Sequence, residues 1–171
     1  MRTTTIRVKL TPAGIDRAIR QLEAYKKHII DSVSRLLDAM CQEGEIWAIN
    51  SMGHIDTGET LSTICSYREG NRGIIEAAGH SIWIEFGTGP KGLDSPHPSG
   101  EWLNEADWEY CSGPTIKFES GVVGWYYPAD ENDPDTEWIW TQGLPSQHFM
   151  YDTAQRLQKI FRAEAKKAFS K

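Results

Sequence analysis

The chain has 171 residues, 39% of them hydrophobic and 25% charged, with a net charge of −6. That balance suits one globular domain spanning 1–171 and excludes a disordered or low-complexity chain. No apolar run approaches the ~18 residues of a membrane span and no apolar signal core opens the chain, so a cytoplasmic protein with no membrane partner is expected.

Thr3 to Leu10 alternates loosely, with Ile6, Val8 and Leu10 on one face, and suggests a short strand. Thr11-Pro12 is a helix start: a hydroxyl cap followed by proline at the first helical position. Ile15, Ile19, Leu22, Ile29, Val33, Leu36 and Met40 then follow steps of three and four, interrupted at Lys26. This pattern predicts one long amphipathic helix reaching about Asn50, weakened near its end by Gly44. At 1.5 Å per residue it would be roughly 55–60 Å long, more than a domain of this size needs. It is therefore expected to kink or to project toward another subunit, and coiled-coil pairing is the competing explanation of the stripe.

After a loop at 51–60 the chain turns to β. Leu61–Arg68, Gly73–Ala78 and Ser81–Phe86 read as three consecutive strands, the first two joined by the turn Glu69-Gly-Asn-Arg-Gly73. Residues 87–114 read as loop with a short helix at Glu101–Tyr110. Strand material follows at Thr115–Val123, Gly124–Tyr127 and Trp138–Trp140, the last preceded by an acidic turn at 130–137. A closing helix from about Ser146, its expected cap, to Ala168 carries Phe149, Met150, Ala154, Leu157, Phe161 and Ala165 near helical spacing. The predicted class is α+β: a long N-terminal helix and a C-terminal helix packed on an antiparallel β-sheet, with a Trp-rich insertion at about 90–140.

Charge is unevenly spread. Residues 1–35 carry eight Lys/Arg against three Asp/Glu, residues 36–145 four against nineteen, and residues 146–171 six against two. The acidic middle argues against a general nucleic-acid binder, because phosphate binding needs a positive surface. Basic ends around an acidic middle suit docking between oppositely charged surfaces, or reflect no more than Lys/Arg-rich helices flanking loops.

Glu85, set among Ile82, Trp83, Ile84 and Phe86, is the best catalytic suspect, since an apolar setting pushes a carboxyl pKa upward. A structural pairing with Arg68 or Arg72 is the favoured reading. Histidines 28, 54, 80, 97 and 148 lack metal spacing, and His148 is placed at the exposed start of the last helix. Cys41, Cys65 and Cys111 are odd in number and lack a C-x-x-C pair, which argues against disulfides and structural zinc. Asp130, Asn132 and Asp135 lack the glycine and terminal glutamate of a calcium loop, so a solvated turn is preferred. Nucleophile elbows and phosphate-cradling glycine loops are absent. No catalytic residue, cofactor or metal is expected.

Three segments occur in order: Asp56-Thr-Gly-Glu-Thr-Leu-Ser-Thr-Ile64, His80-Ser-Ile-Trp-Ile-Glu-Phe-Gly-Thr-Gly89 and Gly143-Leu-Pro-Ser-Gln-His-Phe-Met150. Together they resemble the small tail-completion and head–tail joining proteins of long-tailed phages and prophages. Thr57, Gly58, Leu61, Glu85, Phe86, Gly87, Thr88, Gly89, Phe149 and Met150 carry the resemblance. It covers 11–51, 57–89 and 143–169, and implies turn-forming and packing roles for these residues. It further implies a non-enzymatic neck protein that forms a ring with neighbouring copies and binds other neck and tail proteins. DNA would pass the acidic channel without specific binding. Such a protein would reside in the host cytoplasm during assembly and then in the virion. Residues 90–140 are longer and richer in tryptophan than the family pattern. Trp102, Trp108, Trp125, Trp138 and Trp140 are candidates for a subunit interface, and carbohydrate stacking by the 102–140 segment is the alternative.

Overall fold

The structure, a computed structural model, describes residue 5 and residues 7–53, 60–111, 113–130 and 133–170. Thr57 and Gly58 of the expected turn motif, His54 and Asn132 lie outside the described residues. So do residues 3, 4 and 6 of the expected first strand, and its remaining positions are not in strand.

Helix α1 runs Pro12–Ser51, 40 residues. Its start follows the local chemistry: Thr11 Oγ accepts the Gly14 N–H at 3.2 Å, and Pro12 occupies the first turn, where no intrahelical N–H is needed. Gly44 does not end the helix. A Cβ there would stand 2.0 Å from Ile75 Cδ1 and 3.1 Å from Leu157 Cδ1, so the glycine is a notch into which two other elements press.

One of those elements is α5, Phe149–Ser170, which lies antiparallel to the C-terminal half of α1. At one end Phe149 is fully buried with Ala48, Met52 and Ile64, ringed by Ile49, Leu61, Ala77, Ile84 and Met150. At the other, Arg35 donates to the Ala168 carbonyl at 2.9 Å and to Ser32 Oγ at 2.9 Å. The first twenty residues of α1 run on past the end of α5. There the apolar stripe stays uncovered: Ile15, Ile19, Leu22 and Ile29 are 37–55% exposed, whereas Leu36 on the same stripe is buried.

The expected β material divides into two small sheets rather than one. Strands β1 (Cys65–Glu69) and β2 (Arg72–Glu76) form an antiparallel hairpin that pairs Arg68 with Gly73. It lies on α1 through Glu45 Oε2, which accepts the Ser66 N–H and Oγ–H at 2.8 and 2.6 Å, and through Arg68, bonded to Ser34 and Asp38. A Cβ at Gly73 would be 2.6 Å from Cys41 Sγ, which shows how closely the hairpin approaches the helix. The second sheet has the order β3 (Ile116–Lys117), β4 (Val123–Pro128), β5 (Trp138–Thr141), all antiparallel.

Between the sheets lie three short helices: α2 (Ser81–Phe86), α3 (Gly89–Asp94) and α4 (Gly100–Glu105). Two of the sequence expectations are corrected here. The segment Ser81–Phe86 is helical, not a strand. Six mostly apolar residues fit either state by periodicity; the helix turns Glu85 onto the start of α5, where it is paired, and Phe86 onto His97. The expected strand at Leu61–Arg68 also begins later, after a 3₁₀ turn at Leu61–Thr63.

The glycines of Gly87-Thr-Gly89 are explained by a chain crossing. Thr88 and Leu144 exchange backbone hydrogen bonds at 2.8 and 3.1 Å, and Lys91 N–H reaches the Gln142 carbonyl at 3.1 Å. A Cβ on Gly87 would meet Ser146 N at 2.5 Å; one on Gly143 would meet the Thr88 carbonyl oxygen at 2.0 Å. Both residues have positive φ, 78° and 87°. Gly143→Ala adds backbone strain to a clash that only backbone movement relieves, so it is expected to destabilise by roughly 2–4 kcal/mol in urea unfolding. A midpoint equal to that of the parent would contradict the crossing. No helix among the described residues is long and apolar enough to cross a membrane.

Candidate functional site

Glu85 is buried, and its partners lie far along the chain. Oε2 accepts the Met150 N–H at 2.8 Å and Oε1 the Tyr151 N–H at 3.0 Å, both at the start of α5. His97 Nε2 lies 3.0 Å from Oε1. Glu85 Oε1 is an acceptor, so His97 Nε2 donates to it, while Nδ1 lies 3.1 Å from the Ser99 nitrogen and 3.2 Å from the Ser99 carbonyl oxygen. The first N–H groups of a helix have no intrahelical acceptor, and the helix dipole favours an anion beside them. Glu85 is therefore the cap of α5, supplied from another helix.

This geometry corrects two expectations and refines a third. Glu85 pairs with neither Arg68 nor Arg72; Arg68 instead lies 3.1 Å from Asp38 on α1. Ser146 does not cap α5, because its hydroxyl donates to the Glu85 carbonyl at 2.6 Å and the helix starts three residues later. His148 stands at the start of the helix as expected, but only half-exposed, with φ of 40° and Nδ1 3.0 Å from Asp152 Oδ2.

The cap is walled by aromatic rings. Trp102 stacks on His97 at 5.7 Å, Phe86 lies 4.9 Å from the same ring, and Tyr151 meets it edge-on at 5.3 Å. Both carboxylate oxygens of Glu85 already hold donors and the surrounding rings exclude water. Chemically the cluster is a buried, satisfied polar network, not a base open to substrate. His97 and His148 have ring centroids 6.5 Å apart, yet among the described residues no group of His, Cys, Asp or Glu is arranged to hold a metal ion.

On the outer side of this cluster lies an open cleft of about 850 Å³. Its lining residues include Trp83, Trp108, Tyr110 and Trp125, with Asp107 and Glu109 among them. Two walls are fixed in place: Trp108 Nε1 donates to the Gly87 carbonyl at 3.1 Å, and the Trp125 ring sits so close to Gly89 that a Cβ there would be 2.4 Å away. The glycine motif thus holds both the chain crossing and the cleft floor. Asp107 has φ of 49°, a conformation uncommon for a residue other than glycine.

The candidate interface residues separate. Trp108 and Trp125 line the cleft, Trp102 belongs to the histidine cluster, and Trp140 packs between Phe118 and Tyr126 at 4.9 and 5.0 Å. Trp138, 62% exposed, is the most open of the five. Sequence reasoning missed Trp83, assigned to a buried strand but 45% exposed on the cleft wall, and it missed Asp107 and Glu109. The available signal was the run Glu105-Ala-Asp-Trp-Glu-Tyr110, which places carboxylates between aromatic residues.

Comparison of the chain with protein-family models, with curated proteins and with solved structures gives no match in any of the three.

Proposed function

We propose that this is a structural component of a tailed phage or prophage particle. It joins head to tail or completes the tail, and it assembles with its own copies as a ring around the DNA channel. The observation that carries this reading is the projecting half of α1, where Ile15, Ile19, Leu22 and Ile29 stay exposed among the described residues. A surface of that kind marks a protein–protein contact. Glu85, the carboxylate best suited to catalysis, is used up in holding α5, which favours a structural role over a hydrolytic one. The excess of acidic residues over 36–145 suits a channel that repels phosphate, so DNA passes without specific binding. The protein would be made in the host cytoplasm and then carried in the virion.

Electron microscopy of lysates from the encoding phage or prophage, with this gene deleted, tests the role. Filled heads and tails accumulating apart, or tails of aberrant length, are expected; normal infectious particles would sink the reading. Trp138→Ala removes an exposed ring, so it is expected to leave stability within about 0.5 kcal/mol of the parent while reducing particle assembly. Unchanged particle yield would remove Trp138 from the interface. The open aromatic cleft favours a second reading, a carbohydrate-binding module. It would show as saturable quenching of tryptophan fluorescence by glycans.

A further inference from the structure

Lys26 interrupts the apolar stripe at its centre, between Leu22 and Ile29, and has no ion-pair partner among the described residues. The cleft has the opposite pattern: tryptophan walls with Asp107 and Glu109 among the lining residues, neither in an ion pair among the described residues. We infer that the projecting half of α1 from a second copy of this chain docks on this cleft, with the Lys26 ammonium entering between the aromatic walls and meeting Asp107 and Glu109. The inference rests on the reading of the protein as self-assembling, and it names the two surfaces that meet.

Three observations support it. The charges are complementary, since residues 1–35 carry a Lys/Arg excess and the segment bearing the cleft carries an Asp/Glu excess. An ammonium over tryptophan faces gains cation–π attraction, and adjoining Ile and Leu side chains cover the exposed rings. The contact must also be intermolecular. The end of α1 that packs on α2 is at Ala48, beside Ile84, and Lys26 stands about 33 Å back along the same helix. An arm on one end and a cleft on the other make a head-to-tail contact. Such contacts close into rings when the rotation permits. Pairing of α1 with α1 would instead be a self-complementary contact. In a parallel pair it would set Lys26 against its own copy.

The test uses the full chain in sedimentation velocity over a concentration series. Lys26→Glu blocks the arm, and Asp107→Asn with Glu109→Gln blocks the cleft, the asparagine keeping the positive φ at 107 and neither amide offering a charge to the arm variant's new carboxylate. All three positions are exposed, so thermal unfolding should match the parent. Each variant alone should self-associate at least about tenfold more weakly than the parent. A 1:1 mixture of the two should form a dimer and stop there, because only one intact arm meets one intact cleft. Association of the parent should also weaken with added salt. Exposed Cys111 lies in the cleft, so Glu23→Cys in a Cys65→Ser background should cross-link through a bis-maleimide to Cys111 of a second copy. Adding Cys111→Ser should abolish the product.

A cleft variant that associates like the parent while the arm variant does not would overturn the proposal in favour of helix–helix pairing. A parent that stays monomeric without cross-linking would overturn it too. Saturable glycan quenching without any cross-linking to Cys111 would assign the cleft to sugar and overturn the docking. None of these outcomes bears on the deletion phenotype, so a failed contact and a failed neck role remain distinguishable.

Discussion

Glu85→Ala is expected to destabilise the protein by about 3–5 kcal/mol, the largest effect of any single polar substitution in the chain. The change strands three donors at once: the N–H groups of Met150 and Tyr151 and the His97 ring N–H, all of which lose their acceptor. Each buried donor left without a partner costs roughly 1–3 kcal/mol, and removing one member of a buried pair falls in the same total range. Glu85→Gln keeps one acceptor oxygen and the shape, but it turns an N–H₂ toward a donor, so about half the loss is expected. The measurement is urea unfolding with the slope held fixed, comparing midpoints of the parent and the two variants. If alanine and glutamine variants unfold at the parent midpoint, Glu85 is not the cap of α5. A hydrolase reading would then regain its best candidate.

Phe149→Ala is expected to cost about as much for a different reason. The ring is fully buried where α1, α5 and the 3₁₀ turn meet, so truncation leaves a cavity that two long helices cannot collapse to fill. Phenylalanine-to-alanine changes at such sites cost about 3–5 kcal/mol. For a chain of this size that corresponds to a melting temperature lower by roughly 10 °C. The neighbouring α5 start should loosen with it, which hydrogen exchange at Met150 and Tyr151 would detect. A shift of a degree or less would show that the cluster around Ala48 and Ile64 repacks without it.

Both effects concern residues of the segments 80–89 and 143–150, and in the structure both act through packing and capping. Leu61, Phe86, Gly87 and Gly89 do likewise: Leu61 borders the Phe149 cluster, Phe86 lies against His97 and Trp108, Gly87 admits the 144–146 segment, and Gly89 admits Trp125 and the Gln142 carbonyl. The candidate interface is a separate matter. It depends on α1 extending past α5 and on a cleft built from α2, the loop after α4 and strand β4.

The sequence by itself determined the elements whose causes are local. Thr11-Pro12 set the start of α1 because a cap and a fixed φ act within one turn. The stripe from Ile15 to Met40 set its helical state over those residues, and the same periodicity set α5. The turn at Glu69–Gly73 set the β1–β2 hairpin, with Gly70 at φ of 59°. These were readable because residues three, four or two apart report the face they share.

Only the tertiary structure decided the state of Ser81–Phe86, the partner of Glu85 and the cap of α5. A six-residue apolar segment carries less than two helical turns of pattern, too little to separate helix from strand. Glu85 acts on residues 12, 65 and 66 positions away, and no local rule connects them. Ser146 looked like a cap by position, yet its hydroxyl was drawn to a carbonyl that only the chain crossing brings near. The cleft was only partly legible, because Trp83 and Trp125 join the Asp107–Tyr110 run only after Gly87, Gly89 and Gly143 let two backbones touch.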